Sequence, residues 1–293
     1  MNTRGIITNG GRNKSKTLSD LLLTPNSEQI LALTETFLDK NVEDAEITKH
    51  LLNYTLFRGD RDTTIGRKCK QGGVLLLTSP DIPSIPIGSF SNGACEAVAT
   101  IHPTLSLTIV TIYRPPDTTL EEFEALMDFI ETSVTTHPSS HLILTGDFNF
   151  PKELVSWIES DEGVVPIPTH YRSFNQKMQL QKLLTFTDLY YMHQIINIPT
   201  RDGPPENTLD LLFTNTPEML HSIESVDMIG ISDHKLINLG TEFTIAKENE
   251  TTLPQPKSGI SGYNFERANI DNLKTLHHQQ RSGQHCKSSK RPN

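Results

Sequence analysis

The chain has 293 residues, 35% of them hydrophobic, with 17 glycines and a net charge of −9 from 26 Lys+Arg against 35 Asp+Glu. That length suits one large α/β domain or two modest ones, and an apolar share below the ~45–50% of an average globular domain implies a polar stretch somewhere. The acidic balance excludes bulk charge attraction to nucleic acid or to an anionic membrane, so an anionic substrate needs a local basic face or bound cations.

Along the chain, short apolar runs bounded by polar or turn residues read as buried strands: Ile30–Leu33, Val74–Thr78, Ala97–Ile101, Leu107–Ile112, Leu142–Thr145, Leu209–Phe213 and Leu236–Leu239. Between them, Thr119–Val134 carries Leu120, Phe123, Leu126, Met127, Ile130 and Val134 at helical spacing. Glu121, Glu122 and Glu124 sit in its first turns, where the helix dipole favours negative charge, and Thr118 or Thr119 is the predicted N-cap. Leu18–Leu23 and Gln176–Leu184 are further helical stretches. Strands alternating with helices predict a layered α/β domain.

From Glu248 the composition turns polar, with Pro, Gly and Ser first and basic residues last. Residues 1–246 are therefore read as one folded domain, and 247–293 as a polar linker with a disordered basic tail. The tail's His277, His278, His285 and Cys286 are poorly spaced for zinc. Cys69, Cys95 and Cys286 form no CxxC pair, which argues against a disulfide framework or zinc knuckle and for a reducing compartment. No apolar run reaches ~18 residues and the first residues lack a signal core, so neither a membrane span nor secretion is expected.

The most specific feature is a set of polar residues placed directly after or before apolar runs. Glu35 follows ILALT, Tyr113 follows LTIVTI and precedes Arg114, and Asp147 and Asn149 follow LILTG. Asp210 lies in NTLDLLF, and Ser232, Asp233 and His234 precede Leu236 and Ile237. Any one of these could be an ordinary cap or turn residue. Together they can converge, because α/β sheets gather ligands at one end of their strands. Glu35, Asp147, Asn149 and Asp233 offer hard oxygen ligands of the kind Mg²⁺ takes, and a His beside an Asp is a candidate general base. No phosphate-binding Gly-rich loop, nucleophile elbow or His-Glu-x-x-His helix is present, so the reaction class that fits is metal-assisted hydrolysis of a phosphate ester.

The ordered segments ILALTETFL, FRGDR, GGVLLL, TIVTIYRPP, LILTGDFNF, NTLDLLFTN and ISDHKLI resemble the endonuclease/exonuclease/phosphatase superfamily. Within it, IPTRDGPPENTLDLLFTN and FRGDRDTTIGRKCKQGGVLLLTS look like the apurinic-type endonuclease domain of non-LTR (LINE-like) retrotransposons. The similarity runs from about residue 6 to residue 243. It implies a four-layer α/β sandwich of two packed β-sheets flanked by helices. It also implies a Mg²⁺ cofactor, replaceable by Mn²⁺, a DNA substrate, and a nuclear or cytoplasmic location. YNFERANIDNLKTL at Tyr263–Leu276 resembles the connector toward a reverse transcriptase domain in a longer parent polyprotein.

Carried over position by position, Glu35 matches the metal-binding Glu and Asp233 a second metal-side acid. Asp147 and Asn149 match the pair that holds the scissile phosphate and the attacking water, and Tyr113 the phosphate-contacting tyrosine. His234 matches the catalytic histidine, Asp210 the acid that orients it, and Ser232 the residue beside them. The family's opening strand ends in an Asn, for which Asn9 is the candidate; the run before it is very short. Arg58, Arg61, Arg67, Lys68 and Lys70 form a basic stretch expected to touch DNA backbone, with Arg114 and Ser232 as further substrate contacts; a solvated loop is the plainer reading of that stretch. Tyr171, Arg172 and Phe174 could stack on a base or simply pack a loop. Three readings stay open: a nicking DNA endonuclease, an abasic-site nuclease or phosphoesterase of the same superfamily, and a catalytically impaired remnant that binds nucleic acid.

Overall fold

The computed structural model describes residues 1–6, 14–22, 28–50, 54–65, 71–160, 163–168, 174–204, 206–228 and 232–243. Met1–Lys247 forms one compact unit. The expected linker and tail, the connector at 263–276, Asn9, Cys69 and Cys286 lie outside the described residues. Among the described residues no helix is long and apolar enough to cross a membrane.

Thirteen strands are described, β1 (Ile30–Thr34), β2 (Thr55–Gly59), β3 (Val74–Thr78), β4 (Ile85–Ser91), β5 (Glu96–His102), β6 (Leu107–Tyr113), β7 (His141–Asp147), β8 (Val155–Ser160), β9 (Gly163–Pro168), β10 (His193–Gln194), β11 (Asp210–Thr214), β12 (Leu220–Val226) and β13 (Leu236–Thr241). The helices are α1 (Ser15–Leu22), α2 (Asp44–Thr48), α3 (Leu120–Thr136) and α4 (Phe174–Leu189). Eight strands make one large sheet in the order β4-β5-β6-β7-β11-β10-β9-β8. Only β6 and β7 run parallel in it, because α3 carries the chain back between them. Against it lie the three-stranded β1-β3-β2 and the ribbon β12-β13.

Strand alternation sorts the core into three layers of contact. On β3, Val74 and Leu76 face the large sheet, while Leu75 and Leu77 pack with Leu18 of α1 and Ile47 of α2. On β6, Leu107, Ile109 and Tyr113 turn toward the smaller sheet, while Val110 and Ile112 meet α3 and α4 through Phe123, Ile130 and Leu183. The order helix, sheet, sheet, helix is the four-layer sandwich the sequence implies. α3 starts where a capping box is built: Thr119 Oγ1 accepts from the Glu122 amide, and Glu122 Oε2 from the Thr119 amide at 2.7 Å.

His102, at the end of β5, is wholly buried, with Nδ1 paired to Ser84 Oγ at 2.8 Å and Nε2 to Thr100 Oγ1 at 3.0 Å. Burial pulls its pKa from 6.5 to about 4. The unfolded chain therefore binds a proton in that window which the fold refuses. Stability from this group is complete above pH 6.5 and is lost as pH falls toward 4. The loss should reach ~3 kcal/mol at 1.36 kcal/mol per pKa unit. Urea unfolding of His102→Gln should show a shallower fall in stability between pH 6.5 and 4 than the parent; equal slopes would contradict this.

Candidate active site

Register brings the polar strand ends into one row. Tyr113 pairs with Asp147 across β6 and β7, and Asp147 with Asp210 across β7 and β11. On the far side of Tyr113, Glu96 of β5 completes the row. Glu35 meets this row from the opposite sheet, where it follows β1 with φ at 49°. A left-handed backbone is uncommon for such a residue and collects at functional sites. The Tyr113 hydroxyl donates to Glu35 Oε1 at 2.8 Å, tying the two sheets together. Burial, then the Glu35 and Asp147 carboxylates, push the phenol upward, so it stays a neutral donor.

The Gly-Asp-Phe-Asn turn is fixed by its own chemistry. Gly146 holds φ at 138°, and a Cβ there would collide with the Ile112 carbonyl. Phe148 and Phe150 are buried anchors on either side of Asn149. The Asn149 amide donates to Asp147 Oδ1 at 3.1 Å, and its Nδ2 to the Arg114 carbonyl at 2.9 Å. Asp147 is buried and its Oδ2 accepts from Asn2 Nδ2 at 3.0 Å. Burial, reinforced by repulsion from Asp210, raises its pKa to about 7 despite the opposing pull of His234 and Asn2.

His234 precedes β13 and is buried, its Nδ1 2.7 Å from Asp210 Oδ2. Burial opposes charge on this imidazole, but Asp210 outweighs it and the net pKa is raised. Asp210 is lowered in turn, since His234 overcomes the burial that would raise it. Both shifts favour the ion pair, while neighbouring Asp147 keeps its proton more readily. The Ser232 hydroxyl accepts from the His234 amide at 3.1 Å and so caps the turn that presents the ring.

Asp233 lies between two cations: its Oδ2 accepts from Arg4 at 2.8 Å and from Arg201 at 2.9 Å. Its Oδ1, and Oδ1 of Asp210, are buried without a hydrogen-bond partner among the described residues. One ligand atom each from Asp147, Asp210 and His234 fall within 4.8 Å of one another. Crowded anionic oxygens, two of them unpartnered, suit a hard divalent cation.

Three of the arginines expected to contact substrate are internal struts instead. Arg61 is 6% exposed and binds buried Glu96 through Nε at 2.7 Å, with its guanidinium 5.7 Å from the Tyr113 ring. Arg58 is held by the Asp44 and Asp60 carboxylates and by the carbonyls of Asp39 and Val42. Arg114 is fully buried and supports the Asp147–Asn149 turn from behind. Among the described residues, Arg4, 47% exposed, and Arg201, 41% exposed, are side chains at the site that reach solvent and carry positive charge. Asn9 cannot be compared, but the asparagine bonded to Asp147 is Asn2, paired in parallel with Thr34. A single polar residue with no apolar run before it gives no strand signal, which is why sequence reading passed over it; the contact to Asp147 is what identifies it. Arg67, Lys68, Lys70, Tyr171 and Arg172 lie outside the described residues, and Phe174 opens α4 with 73% exposure.

Arg61→Met alone should cost ~3–5 kcal/mol, because it strands the Glu96 charge in the core. Adding Glu96→Gln should recover most of the loss in chemical denaturation; equal stability of the single and double variants would argue against the strut.

A four-layer sandwich with a carboxylate–imidazole cluster across its strand ends has the fold of nucleases and phosphodiesterases. The chain belongs to the Endonuclease/Exonuclease/phosphatase family, whose model matches residues 2–234. Among solved structures it is similar to a 3′-5′ exonuclease (NExo) from Neisseria meningitidis, with 16% identity and a TM-score of 0.55 over 82% of this chain and 97% of that one. It is also similar to the endonuclease domain of TRAS1, a telomere-specific non-LTR retrotransposon, with 16% identity and a TM-score of 0.54 over 83% and 96%. These likenesses concern the fold. No curated protein matches the sequence significantly.

Proposed function

We propose that the chain is a divalent-metal-dependent phosphodiesterase that nicks one strand of DNA. The observation that carries this is the row Tyr113–Asp147–Asp210, with His234 bonded to Asp210 and Glu35 bonded to Tyr113. Glu35 and Asp233, the acids the resemblance assigns to the metal, would hold Mg²⁺ or Mn²⁺, and the unpartnered Oδ1 of Asp210 belongs to the cluster that Asp210 forms with Asp147 and His234. The cation, when bound, supplies Lewis-acid polarisation of a phosphoryl oxygen. Asp147, steadied by Asn2, takes the proton of the attacking water, and Asn149 fixes the turn that aims it. His234, oriented through Nδ1 by Asp210, which favours its charged form, donates a hydrogen bond from Nε2 to a phosphate oxygen. The neutral Tyr113 hydroxyl donates at the same phosphate or to Glu35. Arg4 and Arg201 are the cations placed to meet the DNA backbone.

A second reading, an impaired nucleic-acid-binding module, is favoured by one feature: Arg4 and Arg201 both donate to Asp233 Oδ2, one of the acids assigned to the metal, and so hold it without one. Supercoiled plasmid incubated with Mg²⁺ or Mn²⁺ should convert to the open circle, and a chelator should abolish conversion. An intact duplex should be cut as readily as an abasic one, and small phosphoesters should be left. Binding without nicking would select the second reading.

A further inference from the structure

Glu35 sits on backbone that its own residue type does not favour. It holds φ at 49°, and Phe37, two residues on, holds φ at 54°; both are left-handed without being glycine. A loop of that kind keeps its shape only where its surroundings impose it. On one side the Gly5 amide donates to the Glu35 carbonyl at 2.7 Å and the Ile6 amide to the Thr36 carbonyl at 2.9 Å. On the other the Thr36 amide donates to the Gly73 carbonyl at 3.3 Å and the Phe37 amide to the Gly72 carbonyl at 2.9 Å.

Gly72 and Gly73 are fixed in turn by the buried pair Arg61 and Glu96. Glu96 Oε2 accepts from the Gly73 amide at 3.0 Å and from Arg61 Nη2 at 3.2 Å, and Oε1 accepts from Arg61 Nε at 2.7 Å. The fit requires both glycines: a Cβ on Gly72 would lie 2.5 Å from Arg61 Nη2, and one on Gly73 2.6 Å from Thr36 Oγ1. A second line reaches Glu35 from the same pair. The Arg61 guanidinium lies 5.7 Å from the centre of the Tyr113 ring, whose hydroxyl donates to Glu35 Oε1 at 2.8 Å. Backbone and carboxylate of Glu35 are thus both held, the first by way of Glu96 and the second by way of Arg61. Stability alone does not call for such a pair, since apolar residues of similar volume commonly match or exceed a buried ion pair.

We propose that Arg61 and Glu96 are positioning residues for the metal: they set the place and direction of the Glu35 carboxylate, and through it the affinity of the site for a divalent cation. The inference rests on the reading of Glu35 as a metal ligand. Both Glu96 oxygens are already engaged by Arg61 and Gly73, so Glu96 acts through Glu35 and not as a ligand itself. Groups that orient a ligand from behind typically change metal affinity ~10–100-fold when they are removed.

The test is Arg61→Met combined with Glu96→Leu in the full chain, titrated with Mn²⁺ by calorimetry in the absence of DNA. The double variant loses one positive and one negative charge, so net charge is unchanged and a shift in affinity reports geometry. It should bind Mn²⁺ at least ~10-fold more weakly than the parent, and its Thr36 and Phe37 amides should exchange faster. A folded double variant with parental affinity would overturn the proposal. Should it fail to fold, Arg61→Met with Glu96→Gln is read in the same way, weaker binding supporting the proposal and parental affinity overturning it. Glu35→Gln is titrated alongside. If it binds Mn²⁺ as tightly as the parent, Glu35 is no ligand, and the metal reading falls together with this inference. Weakened binding in Glu35→Gln beside parental affinity in the double variant overturns the inference alone.

Discussion

Asp147→Asn is expected to slow DNA nicking by about 10²–10³-fold while leaving the metal-free fold as stable as the parent, and more stable above neutral pH. The two effects have one cause. Asp147 is buried among like charges, with Asp210 opposite it in register and Glu35 close enough to repel it. Its folded pKa of about 7 lies above the 3.8 of an ordinary carboxylate, so between these values the fold keeps a proton that the unfolded chain releases. Its contribution to stability is complete below pH 3.8 and falls as pH rises through that window. A neutral asparagine removes this penalty, at the cost of about one hydrogen bond with Asn2 or Asn149. In chelator at pH 8, denaturant unfolding should place Asp147→Asn level with the parent or ~1–3 kcal/mol above it, at about 1.4 kcal/mol per pKa unit. A variant that loses both activity and stability would show Asp147 to be a structural residue; one that nicks at the parental rate would remove it from the chemistry.

The parts of this molecule legible in its sequence are those whose signal is local. VLLLT and LTIVTI are apolar beyond what a surface strand carries, and both are central or doubly covered strands. Strand β4, IPIGSFS, carries a Pro and a Gly, edges the large sheet and is mostly half-exposed, so it has neither alternation nor a run to announce it. The ribbon β8-β9 likewise puts Glu159 and two prolines where pattern reading expects a loop. In the site, Glu35, Tyr113, Asp147, Asp210 and His234 could be named because each adjoins an apolar run, which places it at a strand end. The arginines misled for the opposite reason. Arg58 and Arg61 stand in a basic stretch, and charge in a stretch says nothing of burial. What holds Arg61 in the interior is Glu96, distant in sequence and brought to it only where β2 of the smaller sheet packs against β5 of the larger. Glu96 itself follows a turn and resembles any surface acid until its partner is seen.

Arg114 is the position at which a single substitution should damage fold and site together. Its guanidinium sits 4.3 Å from the Phe150 ring centre and 5.8 Å from that of Phe123, an arrangement a flat delocalised cation can make and an ammonium makes less well. Nε and Nη2 both donate to Gln179 Oε1 of α4, while Nη1 donates to the carbonyls of Phe148 and Asn149. Burial lowers its pKa to about 10, which leaves it charged at any pH of interest. Arg114→Lys keeps the charge but cannot reach all three acceptors. Each buried acceptor left unpaired costs ~1–3 kcal/mol, so the variant should lose ~2–4 kcal/mol. The carbonyls it releases belong to Phe148 and Asn149, the two residues of the turn that follow Asp147, so nicking should fall further than the population of folded protein does. Arg114→Met is expected not to accumulate as folded protein, since nothing then satisfies Gln179 Oε1 or either carbonyl. The check is Arg114→Lys measured at a temperature where more than nine-tenths of it is folded (~1.4 kcal/mol of remaining stability). A rate there equal to the parent's would mean that the strut serves packing alone and that the Gly-Asp-Phe-Asn turn holds its geometry without it.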